Sequence, residues 1–214
     1  DYKSTFDTWR QADKPFQFLM AASAYADMLE QGADYVCHLP ISLDGTNSGT
    51  QHYAMATRNK HDAAMVNLLP SAECQDVYQM VADAVVNKLK AEDDPMAKAW
   101  RDFGVTSKTV KRNTMCCGYN SVQHGMGDQI IEDLMQPLQK EVNYNSIANH
   151  PFGDRKSQSN HARYLAKINY EVISNTLESV SSGMVFLQSY ADALAREGKS
   201  TRWTGPSGFP AVAR

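Results

Sequence analysis

Two stretches of the chain combine residue types that can do chemistry. Residues 41–52, ISLDGTNSGTQH, set one carboxylate, Asp44, at the end of an apolar run and follow it with Gly45, Gly49 and small polar residues. A lone Asp there is open to two readings: a turn residue closing a strand, or an oxygen ligand to a hard cation in a loop that lets a ligand come close. Residues 105–119, VTSKTVKRNTMCCGY, place Lys111, Met115 and Tyr119 at i, i+4 and i+8, with Lys108 one turn before Lys111 on nearly the same side. On a helix, Lys111 and Tyr119 would lie roughly 12 Å apart along the axis. That spacing suits a nucleotide laid along the helix, its phosphates at the cationic N-terminal half, where the dipole favours an anion, and its base and sugar near the ring. A solvated cationic face gives the same pattern, so the residues alone leave both readings open.

The elements that must position these residues follow from periodicity and caps. Pro15 opens a core helix through Phe16, Leu19, Met20, Ala24 and Met28, which Gly32 ends. Tyr35, Cys37, Leu39, Ile41 and Leu43 alternate with Val36, His38, Pro40 and Ser42 and predict a half-buried strand delivering Asp44. Pro40 puts that strand at an edge or a bulge. Ser48 or Gly49 opens a short helix toward Arg58. Pro70 and Ser71 start another, with Ser71 as N-cap, Glu73 and Asp76 in the first turns, and Val77, Val81, Ala84, Val85 and Leu89 as its stripe. A helix carrying Trp100 and Phe103 ends at Gly104, and Thr106 or Ser107 caps the next. Residues 143–160, polar with Pro151 and Gly153, predict a mobile loop. A helical pattern from His161 to Arg196 is expected to break at Ser181-Ser182-Gly183, and residues 202–210 form a tight turn between strand ends. The fold class is α+β, mainly helical, with a small antiparallel sheet.

With 214 residues, 43% of them hydrophobic, the chain can bury a sizeable core as one domain or two lobes of one. It shows no membrane-spanning run or signal peptide, which makes the cytoplasm the expected location and membranes an unexpected partner. A net charge of -3 excludes a globally basic nucleic-acid binder. Acidic partners must meet a local patch, for which Lys98, Arg101, Lys108, Lys111 and Arg112 are the candidates. Cys37, Cys74, Cys116 and Cys117 have neither disulfide nor zinc spacing and read as reduced thiols. The scattered His38, His124, His150 and His161 receive no metal role, and the helical register of Tyr78 favours packing. Both ends of the sequence look cut, so a piece of a larger protein is expected.

In combination and order, "DGTNSGTQH" and "VKRNTMCCGY" are specific, and "DKPFQFLMAASAYA", "VNLLPSAECQDVYQMVADAV" and "WTGPSGFP" support them. Over nearly its whole length the chain resembles the single-subunit DNA-directed RNA polymerases of podoviruses and mitochondria, relatives of the family A DNA polymerases. The resemblance implies that Asp44 binds both catalytic Mg²⁺ ions, joined by the carbonyl of Gly45, and that Lys111 neutralises phosphate or protonates pyrophosphate. Arg112 and Lys108 support it, and Tyr119 packs beside the incoming base and sugar. It further implies a palm segment at 1–60, fingers at 61–160, and helices returning to the palm with the start of a β-hairpin at 161–214. DNA template, RNA transcript and ribonucleoside triphosphates are the expected partners, with a second polymerase chain a further candidate, in a phage-infected bacterial host. Relatives that make DNA carry a Glu where Gly49 stands, and its bulk would meet a ribose 2′-OH.

The sequence departs from the family pattern at Ser107, where most members have Arg, and at Asn120, where Gly is usual. The His that senses the 2′-OH and the second metal-binding Asp of a His-Asp-Ser motif are expected outside this chain, since the His61-Asp62 pair is followed by Ala63 and Ala64. The isolated chain is therefore expected to be inactive. The alternatives are a family A DNA polymerase-like enzyme and a non-catalytic remnant or subunit of a split polymerase.

Overall fold

The computed structural model describes residues 5–43, 45–144 and 147–213, so Asp44, the residue singled out for metal binding, lies outside the described residues. The chain divides into two units, Asp1–Asp44 and Gly45–Arg214.

In the first unit a short helix α1 (Phe6–Trp9) precedes α2 (Pro15–Gln31). Pro15 starts α2 as its spacing predicts, and Gly32, at φ 76°, ends it with its N–H bonded to the Met28 carbonyl. The expectation of a core helix fails: no residue of α2 is buried, and Phe16 is 75% exposed. One helix and the segment after it have too little apolar surface between them to close a core. The predicted strand at 35–43 is also corrected. After a 3₁₀ turn (Gly32–Asp34) the segment carries no ladder, because a strand exists only by pairing and, among the described residues, the only paired strands pair with each other. Its alternation therefore buries nothing at Ile41 and Leu43, both strongly exposed.

The second unit is helical around one core. Helices α3 (Ser48–Thr57) and α4 (Lys60–Met65) are followed by α5 (Val77–Ala91), α6 (Pro95–Phe103) and α7 (Ser107–Cys117). The stripe Val77, Val81, Val85 and Leu89 is fully buried, as its 3.6-residue period requires. Its helix starts seven residues after the expected Pro70. The reason is Asp76, whose carboxylate accepts from the N–H groups of Tyr78 and Gln79 at 3.0 and 3.1 Å, while Ser71 stays in the preceding loop. Asp94 caps α6, Gly104 at φ 89° ends it, and Thr106 caps α7 through a reciprocal pairing with Thr109. Trp100, fully buried, donates to the His161 carbonyl at 3.0 Å and packs 4.4 Å from the Phe152 ring.

Helix α8 (Gln123–Ile130), a π-helical turn (Ile131–Met135) and α9 (Gln136–Asn143) form a run that the periodicity did not reveal. Helix α10 (Arg155–Thr176) begins inside the stretch expected to be loop, because Asp154 caps it by accepting from Ser157 N–H at 2.8 Å. The long helical pattern breaks at Leu177 rather than at 181–183. That residue is fully buried and non-helical, and α11 (Glu178–Arg196) runs uninterrupted through Ser181 and Gly183. The start of α11 is held by Asp62 of α4, whose buried carboxylate accepts from Ser179 N–H at 2.8 Å and Ser179 Oγ at 2.5 Å. A hairpin of β1 (Thr201–Thr204) and β2 (Pro210–Ala213), paired Thr201 to Ala213 and Thr204 to Pro210, is the small antiparallel sheet. The mainly helical α+β class holds.

Candidate nucleotide site

Asn47 starts α3 by accepting from Thr50 N–H at 3.3 Å, which puts Gly49 in the helix's first turn. Three glycines let α3 lie close to its neighbours. A Cβ on Gly118 would stand 3.7 Å from the Gly49 Cα, and one on Gly183 would stand 2.4 Å from the Tyr53 ring, closer than atoms approach. Gly183 therefore serves a close helix contact and not a kink. Tyr53 lies in that contact and donates its hydroxyl to the Met184 sulfur at 2.8 Å. Burial raises the Tyr53 phenol above its ordinary value.

Helix α7 ends at Cys117, two residues before Tyr119, so the expected face of Lys111, Met115 and Tyr119 is real only for the first two. Tyr119 sits in a turn where its N–H reaches the Cys116 carbonyl at 3.0 Å, and Asn120 follows at φ 63°. That turn aims the ring at α3: a Cβ on Gly49 would stand 3.8 Å from Tyr119 Cζ and Oη. Tyr119 is otherwise open, 71% exposed. Its neighbour Cys117 is half-buried, and desolvation pushes the thiol up to about 12, so it packs as a neutral side chain; all four cysteines are free of disulfides.

The ammonium of Lys111 stands 5.3 Å from the centroid of the Tyr78 ring. The Tyr78 hydroxyl donates to the Thr46 carbonyl at 3.0 Å, and Asn67 Nδ2 donates to Thr46 Oγ1 at 3.0 Å. Asn67, held at φ 60°, also bonds Gln75 in both directions, at 2.7 and 2.9 Å. One aromatic ring thus joins the α7 cation to the backbone two residues after Asp44. The packing expected of Tyr78 is only half of what it does, since its hydroxyl also grips the loop. Gly45 lies under Gln51, whose Oε1 is 2.6 Å from where a Cβ would stand and whose Nε2 donates to the Val66 carbonyl at 2.8 Å.

The other two cations of α7 go elsewhere. Lys108 and Arg112, one turn apart, line a cleft of about 420 Å³ with Thr109, Gln129 and Asp133, so Lys108 groups with Arg112 instead of Lys111. Arg112 bonds Glu132 at 2.9 Å and Asp133 at 2.8 Å, both on the π-helical turn. These carboxylates raise the Arg112 pKa and hold the guanidinium in ion pairs.

A model of the DNA-dependent RNA polymerases matches residues 2–213. The chain belongs to the DNA-dependent RNA polymerase family. It is 31% identical to the DNA-directed RNA polymerase of Enterobacteria phage T3 over 94% of its length and 26% of that protein's. With the T7 RNA polymerase of Escherichia phage T7 it shares 31% identity over the same shares of the two chains. With the mitochondrial DNA-directed RNA polymerase of Schizosaccharomyces pombe it shares 39% over 59% of this chain and 11% of the other. The chain spans about a quarter of the length of the phage relatives.

Within this polymerase segment, no three His, Cys, Asp or Glu side chains of the described residues gather into a metal-holding group. The buried polar atom without a partner nearest in sequence to Asp44 is Asn47 Nδ2, a donor that suits an oxygen and not a cation. The described residues thus do not by themselves fit a two-ion site. No helix among them is long and apolar enough to cross a membrane. Sequence reasoning passed over Asn67, whose left-handed backbone leaves no periodic signal, and Asp62, whose partner lies 117 residues away.

Proposed function

We propose that this chain is the palm-and-fingers portion of a polymerase that, when complete, adds ribonucleotides to an RNA 3′ end on a DNA template. The palm comprises 1–60, the fingers 61–160, and 161–214 returns to the palm and opens a hairpin. The observation that supports this reading is the Lys111–Tyr78–Thr46 linkage, which ties the α7 cation to the loop after Asp44, together with the Tyr119 ring facing Gly49.

Each residue has a part. Lys111 neutralises charge building on the triphosphate and the departing pyrophosphate, which is where a positioned cation lowers the barrier most. Tyr119 packs against the base and sugar, and Gly49, without a side chain, leaves room for the 2′-OH. Tyr78 holds Lys111 and the Thr46 loop in one frame. Arg112 serves the phosphates only if it leaves Glu132 and Asp133, and Lys108, in the same cleft, supports it there. Asp44 and the Gly45 carbonyl are the residues that would hold Mg²⁺, which when bound would supply the positive charge that favours attack by a 3′-hydroxyl; holding two ions would need a further carboxylate beyond those described.

The test is Asp44→Asn in the complete polymerase, read by nucleotide incorporation and by template binding. Incorporation is expected to fall by orders of magnitude with binding retained, because the cationic helix is untouched. Transcription near the wild-type level would remove Asp44 from catalysis and end the proposal.

A further inference from the structure

The turn that carries Tyr119 is fixed by a pair of residues far apart in sequence. Asn120 takes φ 63°, a left-handed conformation that Asn tolerates better than other residues with a side chain. In that conformation its Oδ1 accepts from Gln188 Nε2 on α11 at 2.7 Å. The backbone holds the same turn from the other side, with Asn120 N–H on the Cys117 carbonyl and Ser121 N–H on the Cys116 carbonyl, each at 3.2 Å.

These bonds close a ring of contacts. From Gln188, α11 runs back one turn to Met184, which accepts from Tyr53 at 2.8 Å, and Gly183 lets the Tyr53 ring lie against the helix. Tyr53 belongs to α3, whose first turn presents Gly49 to the Tyr119 ring. Tyr119 and Gly49 are therefore held at a set spacing through two routes, directly across α7 and α3, and around through α11. Behind the turn lies a cavity of about 360 Å³, lined by Ser121, Tyr170, Ser174 and Gln188 among others, into which the turn can relax if the second route is cut.

We propose that the Asn120–Gln188 hydrogen bond is a specificity-determining tether: it sets the distance between Tyr119 and Gly49, and with it how closely the polymerase fits a ribose. Asn120 and Gln188 are positioning residues that act through Tyr119. The proposal rests on the reading that Tyr119 and Gly49 flank the nucleotide sugar.

The experiment compares Asn120→Gly, Gln188→Ala, their double variant and Asn120→Asp in the complete polymerase. It reads kcat and KM for ribo- and deoxyribonucleoside triphosphates, and amide hydrogen exchange at residues 119–121. Asn120→Gly keeps the backbone conformation and loses the acceptor, whereas Asn120→Asp keeps both. One hydrogen bond lost should raise the ribonucleotide KM about fivefold and lower the ribo-to-deoxyribo ratio of kcat/KM by about the same factor. In both single variants kcat should stay within about twofold, because the phosphate-binding residues are untouched. Exchange at 119–121 should quicken, Asn120→Asp should match the wild type, and the double variant should be no worse than either single one. An unchanged KM and ratio in both single variants, or fully additive effects in the double one, would overturn the tether. If Asp44→Asn abolishes incorporation while the tether variants do nothing, the tether alone fails; if Asp44→Asn is active, the site itself is misread and the tether falls with it.

Discussion

Asp62 shows how much a single residue can do in this chain without taking part in chemistry. Its carboxylate is fully buried, and its Oδ2 accepts from both the N–H and the hydroxyl of Ser179, capping α11 from a different helix. Removing it leaves a buried N–H and hydroxyl at a helix start without their partner, the costly half of hydrogen-bond energetics. Asp62→Ala is therefore expected to lower stability by about 3 kcal/mol, measured by urea denaturation, with Asp62→Asn recovering part of it. A loss below about 0.5 kcal/mol would mean that water replaces the carboxylate. At this scale the sequence was legible where chemistry is local. Lys111 was singled out from type and spacing and Gly49 from the family resemblance, but the ring beside Lys111 is Tyr78 and not the expected Tyr119, which stands beside Gly49 instead. Asp62, Asn67 and the hydroxyl of Tyr78 were not legible, since each acts through a partner that only the folded chain brings near.

At the scale of elements, helix ends decided what the pattern alone left ambiguous. Ser71 and Asp76 both precede the stripe of α5 and both are good N-caps by type, but only Asp76 accepts from two helix N–H groups. Asp76→Ala should cost about 1 kcal/mol in denaturant unfolding and Ser71→Ala less than about 0.5 kcal/mol; the reverse order would place the helix start back at Pro70. The stop of α6 at Gly104 and the cap of α7 at Thr106 were readable from residue type, whereas the Asp94 cap of α6 emerged only in the structure. The strand at 35–43 and the core role of α2 were not, because alternation and amphipathicity state what a segment could bury and not whether a partner is there to bury it. The break near α11 was expected at Ser181-Ser182-Gly183, where the glycine instead admits Tyr53, and the buried Leu177 takes the non-helical turn. The π-helical turn that gives Arg112 two carboxylate partners left no sequence signal, since one extra residue per turn changes no composition.

At the scale of the whole molecule, this segment of a DNA-dependent RNA polymerase carries its own helical core, and the proposed site draws its cation, rings and glycine from α3, α5, α7 and the turn after α7. In the proposed reading the phosphates meet Lys111, because Arg112 is engaged by Glu132 and Asp133 while Lys111 faces the ring that holds the Thr46 loop. The decisive measurement is the rate of single-nucleotide incorporation by the complete polymerase with Lys111→Ala, taken with template affinity. Incorporation is expected to slow about a hundredfold or more with template affinity changed less than about threefold. An unchanged incorporation rate, or a loss confined to template binding, would contradict the assignment of Lys111 to the nucleotide's phosphates.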